Sequence, residues 1–215
     1  MKNLFILNFA LFVLLGVFSC SNKKDTIETT IPIDTISFTT AETDTIMQQA
    51  DTSKMRLLTI FDYNDSLSLR RVSHYVLPDS NNLVLQRLIK RMYKTVTDPA
   101  NPGVGIAAPQ VGINRNIIWV QRLDKTGKPF EVYLNPRILL YSNKQINFPG
   151  DGCLSIPGIN GTSKRYSSVV VEYDLLDGSH HIEIVEGYSG SSFTAVICQH
   201  EIDHLWGTLF IDRLL

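Results

Sequence analysis

The tightest constraint on what this chain can become is the stretch Gln199-His200-Glu201-Ile202-Asp203-His204-Leu205 near its C-terminus. Phe193, Ala195, Val196, Ile197, Cys198, Ile202, Leu205 and Trp206 surround it and leave almost no polar face, so the segment reads as a buried helix. Residues four apart on a helix lie on one side, so the imidazoles of His200 and His204 can converge on a single metal ion. Glu201 sits beside that face and can reach a water on the ion without being a ligand itself. The alternative, two solvated histidines, fits the apolar surroundings poorly, because buried imidazoles and carboxylates are costly unless paired or metal-bound. The pattern is the H-E-x-x-H of metal-dependent hydrolases, which need one further protein ligand.

A candidate for that ligand is Cys153, in the turn-rich run Pro149-Gly150-Asp151-Gly152-Cys153-Leu154-Ser155-Ile156-Pro157-Gly158. An inert buried thiol is the default for any cysteine. Here a flanking glycine frees the backbone to aim both the sulfur and the next residue's amide into one cavity. A thiolate with two imidazoles would complete a three-ligand site with a fourth position for water, a donor set that suits Fe(II) or Zn(II). Upstream, Gly103-Val104-Gly105-Ile106-Ala107-Ala108-Pro109-Gln110-Val111-Gly112 is small and uncharged. Little side chain stands in the way there, so backbone can approach a ligand or another segment closely. The run lacks the GK[ST] ending of a phosphate loop. Gln110, its only polar side chain, serves either in tight packing or to bring an amide to a substrate.

Together the three stretches resemble the peptide deformylase family: GVGIAAPQ at 103–110, DGCLS at 151–155 and QHEIDHL at 199–205 match its three motifs in order. The similarity runs from about Met55 to Leu215. It implies that Cys153, His200 and His204 are metal ligands and that Glu201 is the general acid and base. Gln110 and the backbone amide of Leu154 would stabilise an oxyanion, and Gly105 would offer backbone contacts to a peptide lying as an added strand. The expected activity is removal of the formyl group from N-formylmethionyl peptides, with Fe(II) the expected metal and Zn(II) or Ni(II) alternatives. The family's second motif normally opens with glutamate, where this chain has Asp151, and pairs it with an arginine that by spacing is Arg165. Two rival expectations are a general zinc peptidase and an anchored, non-catalytic relative that only binds formylated or acylated N-termini.

With 215 residues and a net charge of −1, the chain can bury one sizeable core and offers no reason to expect nucleic-acid binding. Cysteines at 20, 153 and 198 are too few and scattered for a disulfide framework, and Cys198, off the histidine face, reads as packing. Met1-Lys2-Asn3 followed by the apolar run Leu4 to Phe18 reads as an export signal. Its Val17-Phe18-Ser19-Cys20 ending resembles the lipobox of bacterial lipoproteins, which implies a membrane-anchored envelope protein lipidated at Cys20. A start at Met55 would instead leave the protein in the cytoplasm. Residues 21–54, rich in Thr, Ser, Asp and Glu, are expected to be a flexible tether without secondary structure. Domain assignment is therefore signal 1–20, tether 21–54 and catalytic domain 55–215.

Within that domain the pattern predicts a strand over 56–60, a polar turn at 62–65 and a helix capped by Asp79 or Ser80. Strands are expected at 116–121, 131–135 and 137–141, with a hairpin turn at 125–128 and a break at Asn135-Pro136. Two more, 167–175 and 181–185, flank the Asp177-Gly178 turn, which leaves His180 and His181 exposed. Gly207 should end the last helix. The expected architecture is α+β, antiparallel sheets around a central helix that carries the two histidines.

Overall fold

In a computed structural model of the chain, residues 37–215 are described. The expected signal segment and residues 21–36 of the expected tether lie outside the described residues. The strands are β1 (Gly105–Ala107), β2 (Ile117–Gln121), β3 (Phe130–Tyr141), β4 (Gln145–Gly152), β5 (Asn160–Tyr166), β6 (Ser168–Asp174) and β7 (His180–Glu186). The helices are α1 (Thr40–Met47), α2 (Tyr63–Leu69), α3 (Leu83–Val96) and α4 (Thr194–Leu205).

All strand pairs are antiparallel. One sheet has the order β1-β2-β3-β6-β7, and β4 pairs with β5 in a second. Alternation decides what covers each face of the larger sheet. Ile118, Val120, Tyr133, Val169, Val171 and Tyr173 point to one side and pack with α4. Ile106, Ile117 and Leu134 point to the other and pack with α3, whose Leu85, Leu88, Ile89, Met92 and Val96 form its buried stripe. α4 also contacts β5, so the histidine helix lies between the two sheets. This is the α+β arrangement expected from the sequence.

Several local expectations are corrected. Residues 56–60 form no strand; instead Leu58 N–H bonds Gln110 O at 2.8 Å and Ile60 N–H bonds Ser155 O at 3.1 Å, so the segment threads between the two motif loops. The polar run at 62–65 opens helix α2, because the Asp62 carboxylate accepts the Asp65 N–H. Asn82, rather than Asp79 or Ser80, caps α3, by accepting the N–H groups of Val84 and Leu85. The strands expected at 131–135 and 137–141 are one strand, β3. Asn135 takes a positive φ of 51° at a register shift, and its amide bonds Val76 and Asp174, so the chain kinks without leaving the sheet. Trp206, expected on the buried helix, caps its end and is exposed.

The largest correction concerns the tether. Residues 40–47 are helical and packed, with Ile46 wholly buried beside α3. The Thr39 hydroxyl accepts the Glu42 N–H while the Glu42 carboxylate accepts the Thr39 N–H, a reciprocal cap. Arg91, buried in α3, donates to the Thr45, Ile46 and Ser53 carbonyls, satisfying the otherwise open end of α1. Buried Arg115 grips Glu42 through Nε at 2.9 Å and Nη2 at 2.7 Å. The folded body therefore extends upstream of residue 55.

Candidate active site

The site is assembled from four elements. α4 supplies His200, Glu201 and His204, all buried. The turn after β4 supplies Cys153, β1 supplies Gly105, and the 3-10 turn that follows β1 supplies Gln110. Cys153 Sγ lies 3.3 Å from His204 Nε2, and one ligand atom from each of Cys153, His200 and His204 lies within 4.8 Å of the others. The sequence-predicted trio is thus brought together, from positions some fifty residues apart.

His200 is aimed by a neighbour, whereas His204 Nδ1 has no hydrogen-bond partner among the described residues. His200 Nδ1 lies 3.0 Å from Asp151 Oδ1, and since a carboxylate only accepts, Nδ1 carries the proton and Nε2 is left to face the cluster. Burial alone would raise the Asp151 carboxyl, but His200, Arg165 and Ser163 outweigh it and hold it well below the usual carboxylate range. The Arg165 Nη2 to Asp151 Oδ2 distance is 2.9 Å, so the expected pair is made by the shorter carboxylate. Burial holds His204 well below the usual histidine value, aided by His200, and so keeps it in the neutral form that ligates. This donor set fits one divalent cation: a thiol, two imidazoles and room beside them.

Glu201 is buried, and its Oε2 has no hydrogen-bond partner among the described residues. Burial pushes its carboxyl up to about 7, with Asp151 adding to the rise and His200 and Arg165 opposing it. Gln110 is oriented by its own oxygen: Oε1 accepts the Ala107 N–H at 2.8 Å. Its NH2 therefore faces inward, 3.4 Å from Cys153 Sγ and 3.3 Å from Ser155 Oγ. The Leu154 N–H is engaged by no hydrogen bond among the described residues and borders the same cleft of about 430 Å³. Gly105, at the edge strand, faces Glu201 directly.

Sequence reasoning placed no role on Ser163 or Asp203. Ser163 Oγ donates to Asp151 Oδ2 at 2.6 Å, and Asp203 accepts from Arg165 at 2.6 Å and from Arg213 at 2.8 Å. Asp203 could have been found inside the histidine motif; Ser163 carries no local signal. Cys198 is buried off the site as expected, and burial pushes its thiol up. His180 and His181 are exposed, also as expected.

An α+β body whose H-E-x-x-H helix meets a loop thiol, with the buried Glu201 carboxylate alongside, defines a metal-dependent hydrolase. The family profile described as Polypeptide deformylase matches residues 57–215. A peptide deformylase from Finegoldia magna is 37% identical over 61% of this chain and 75% of its own, and one from Clostridium perfringens is 37% identical over 71% and 95%. A Met-Ala-Ser-bound class I type b peptide deformylase from Acinetobacter baumannii superposes with a TM-score of 0.62 at 31% identity, over 76% of this chain and 99% of that one. The chain belongs to the polypeptide deformylase family.

Proposed function

We propose that this chain removes the formyl group from the N-terminal methionine of peptides, releasing formate, and that it does so with one divalent metal ion. The single observation that carries the reading is the convergence of Cys153, His200 and His204 beside the unpartnered Glu201 carboxylate. Cys153 Sγ and the Nε2 atoms of His200 and His204 would hold the ion, for which we favour Fe(II), with Zn(II) or Ni(II) able to take its place. When bound, the ion supplies Lewis acidity that makes water a nucleophile near neutral pH.

The chain's own groups do the rest. Glu201 accepts the proton of the attacking water and returns it to the departing amine nitrogen, a role open to a buried carboxylate whose Oε2 has no other partner among the described residues. As charge gathers on the formyl oxygen, the Gln110 NH2 and the Leu154 N–H donate to it. The edge of β1 at Gly105 offers backbone groups to a peptide laid alongside as an extra strand. A thiol third ligand speaks against the general zinc peptidase, and a complete acid-base and amide set speaks against a purely binding relative.

The test is formate release from formyl-Met-Ala-Ser by the anaerobically prepared, Fe(II)-loaded protein. Turnover in the parent, with near-complete loss in Glu201→Ala, is the expected result. No release from metal-loaded parent protein would overturn the reading.

The compartment we propose is the bacterial envelope, with Cys20 lipidated. Support comes from the leader-like first twenty residues and from the docking of residues 40–54, which weighs against a start at Met55. That start would strip the backbone partners of Arg91 and the Glu42 partner of Arg115. Mass spectrometry of the mature N-terminus distinguishes the two: a diacylated cysteine supports the proposal, and an unmodified Met55 overturns it.

A further inference from the structure

The carboxylate beneath His200 is held unequally by its neighbours. Among the described residues Asp151 Oδ1 serves His200 alone, whereas Oδ2 receives Ser163 Oγ at 2.6 Å, Arg165 Nη2 at 2.9 Å and Arg165 Nε at 3.3 Å. Arg165 is a divided partner. Its Nη1 is drawn 2.6 Å from Asp203, which is also bound by the partly exposed Arg213. Among the described residues the Ser163 hydroxyl has no such second allegiance. It is wholly buried on β5, the strand paired with the one that carries Asp151, and its hydroxyl donates only to that carboxylate.

We propose that Ser163 is a positioning residue for the metal centre. Its hydroxyl sets the Asp151 carboxylate in the orientation that delivers Oδ1 to His200 Nδ1, which fixes the His200 tautomer and ring plane and so governs how tightly the ion is retained. This rests on Cys153, His200 and His204 being the ligands. Ser163 touches neither substrate nor ligand atom, so its effect belongs to retention of the ion and not to turnover per bound ion.

Two readouts test it. In Ser163→Ala, zinc affinity measured by chelator competition should fall roughly ten-fold, as for other outer partners of metal-bound histidines. KM and kcat per bound ion for formyl-Met-Ala-Ser should stay within about two-fold of the parent, as expected when only retention changes. In the metal-free protein, which needs no loaded site, NMR should show a downfield, slowly exchanging His200 Nδ1–H in the parent, as its hydrogen bond to Asp151 requires, and the loss of that signal in Ser163→Ala. A double-mutant cycle locates the effect: in an Asp151→Asn background, Ser163→Ala should weaken zinc binding no further. Unchanged zinc affinity and an unchanged Nδ1–H signal in Ser163→Ala would overturn the proposal, as would an equal loss in both backgrounds. If Cys153→Ala leaves zinc binding intact, the ligand assignment fails separately, while the Nδ1–H signal still reports on Ser163.

Discussion

A methyl group on the α-carbon of Gly105 would lie 2.5 Å from Glu201 Oε1. Strand β1 therefore leaves no room for a side chain beside the proposed acid-base residue. Gly105→Ala should displace the Glu201 side chain, which it meets at Oε1, Cδ and Cγ rather than at backbone. The expected result is a fall in kcat/KM of at least about 100-fold, the cost of misplacing a reacting group by about an ångström. Activity near the parent level would show that Glu201 has freedom to move.

Gln110 offers its amide only because Ala107 holds the other end of it. Gln110→Ala should lower kcat by about 100- to 1000-fold, the usual cost of losing an oxyanion donor, with a smaller effect on KM. Steady-state kinetics with the metal content matched to the parent gives the answer.

Removing the sulfur of Cys153 should cost more metal affinity than the ~10- to 100-fold typical of an outer partner, because a ligand itself is lost. Metal analysis of Cys153→Ala after dialysis against chelator checks this. Stoichiometric metal in that variant would rule out the thiolate.

A chain begun at Met55 should be less stable by about 2 kcal/mol or more, because it loses the burial of Ile46 together with the Glu42–Arg115 pair. Urea unfolding of that chain against one begun at Ser37 measures the difference.

Glu42 should also leave a mark in acid. Burial would raise its carboxyl, but the Arg115 guanidinium and the Thr39 N–H prevail and hold it below its ordinary 4.5. A lowered folded value means that its stabilisation is complete above pH 4.5 and disappears as pH falls through that lower value. Glu42→Gln should therefore be less stable than the parent at neutral pH, with the gap narrowing in acid. Urea midpoints between about pH 3 and pH 7 follow it directly.

The site was legible because its chemistry is written in contiguous motifs: His200, Glu201 and His204 need only a helix to converge, and Cys153 and Gln110 sit in loops whose glycines announce close approach. What lay hidden depends on distant partners. Helix α1 has a single buried apolar residue, and its anchors, Arg91 and Arg115, are buried cations that no local pattern identifies; the Thr39-x-x-Glu42 box was the available clue. The second half of strand β4, Pro149-Gly150-Asp151-Gly152, reads as a turn-rich run because its regularity comes from pairing with β5. The continuity of β3 through Asn135 depends on Val76 and Asp174, thirty-nine or more positions away along the chain.

His200 and His204 occupy the second half of α4, and His204 belongs to its final turn. There the aligned peptide dipoles sum to a partial negative charge, an electrical bias toward cations that is independent of side-chain identity. Placing the same histidine pair at positions 194 and 198, from the first turn of the helix onward, would preserve their mutual spacing yet set them toward the end whose field repels a cation.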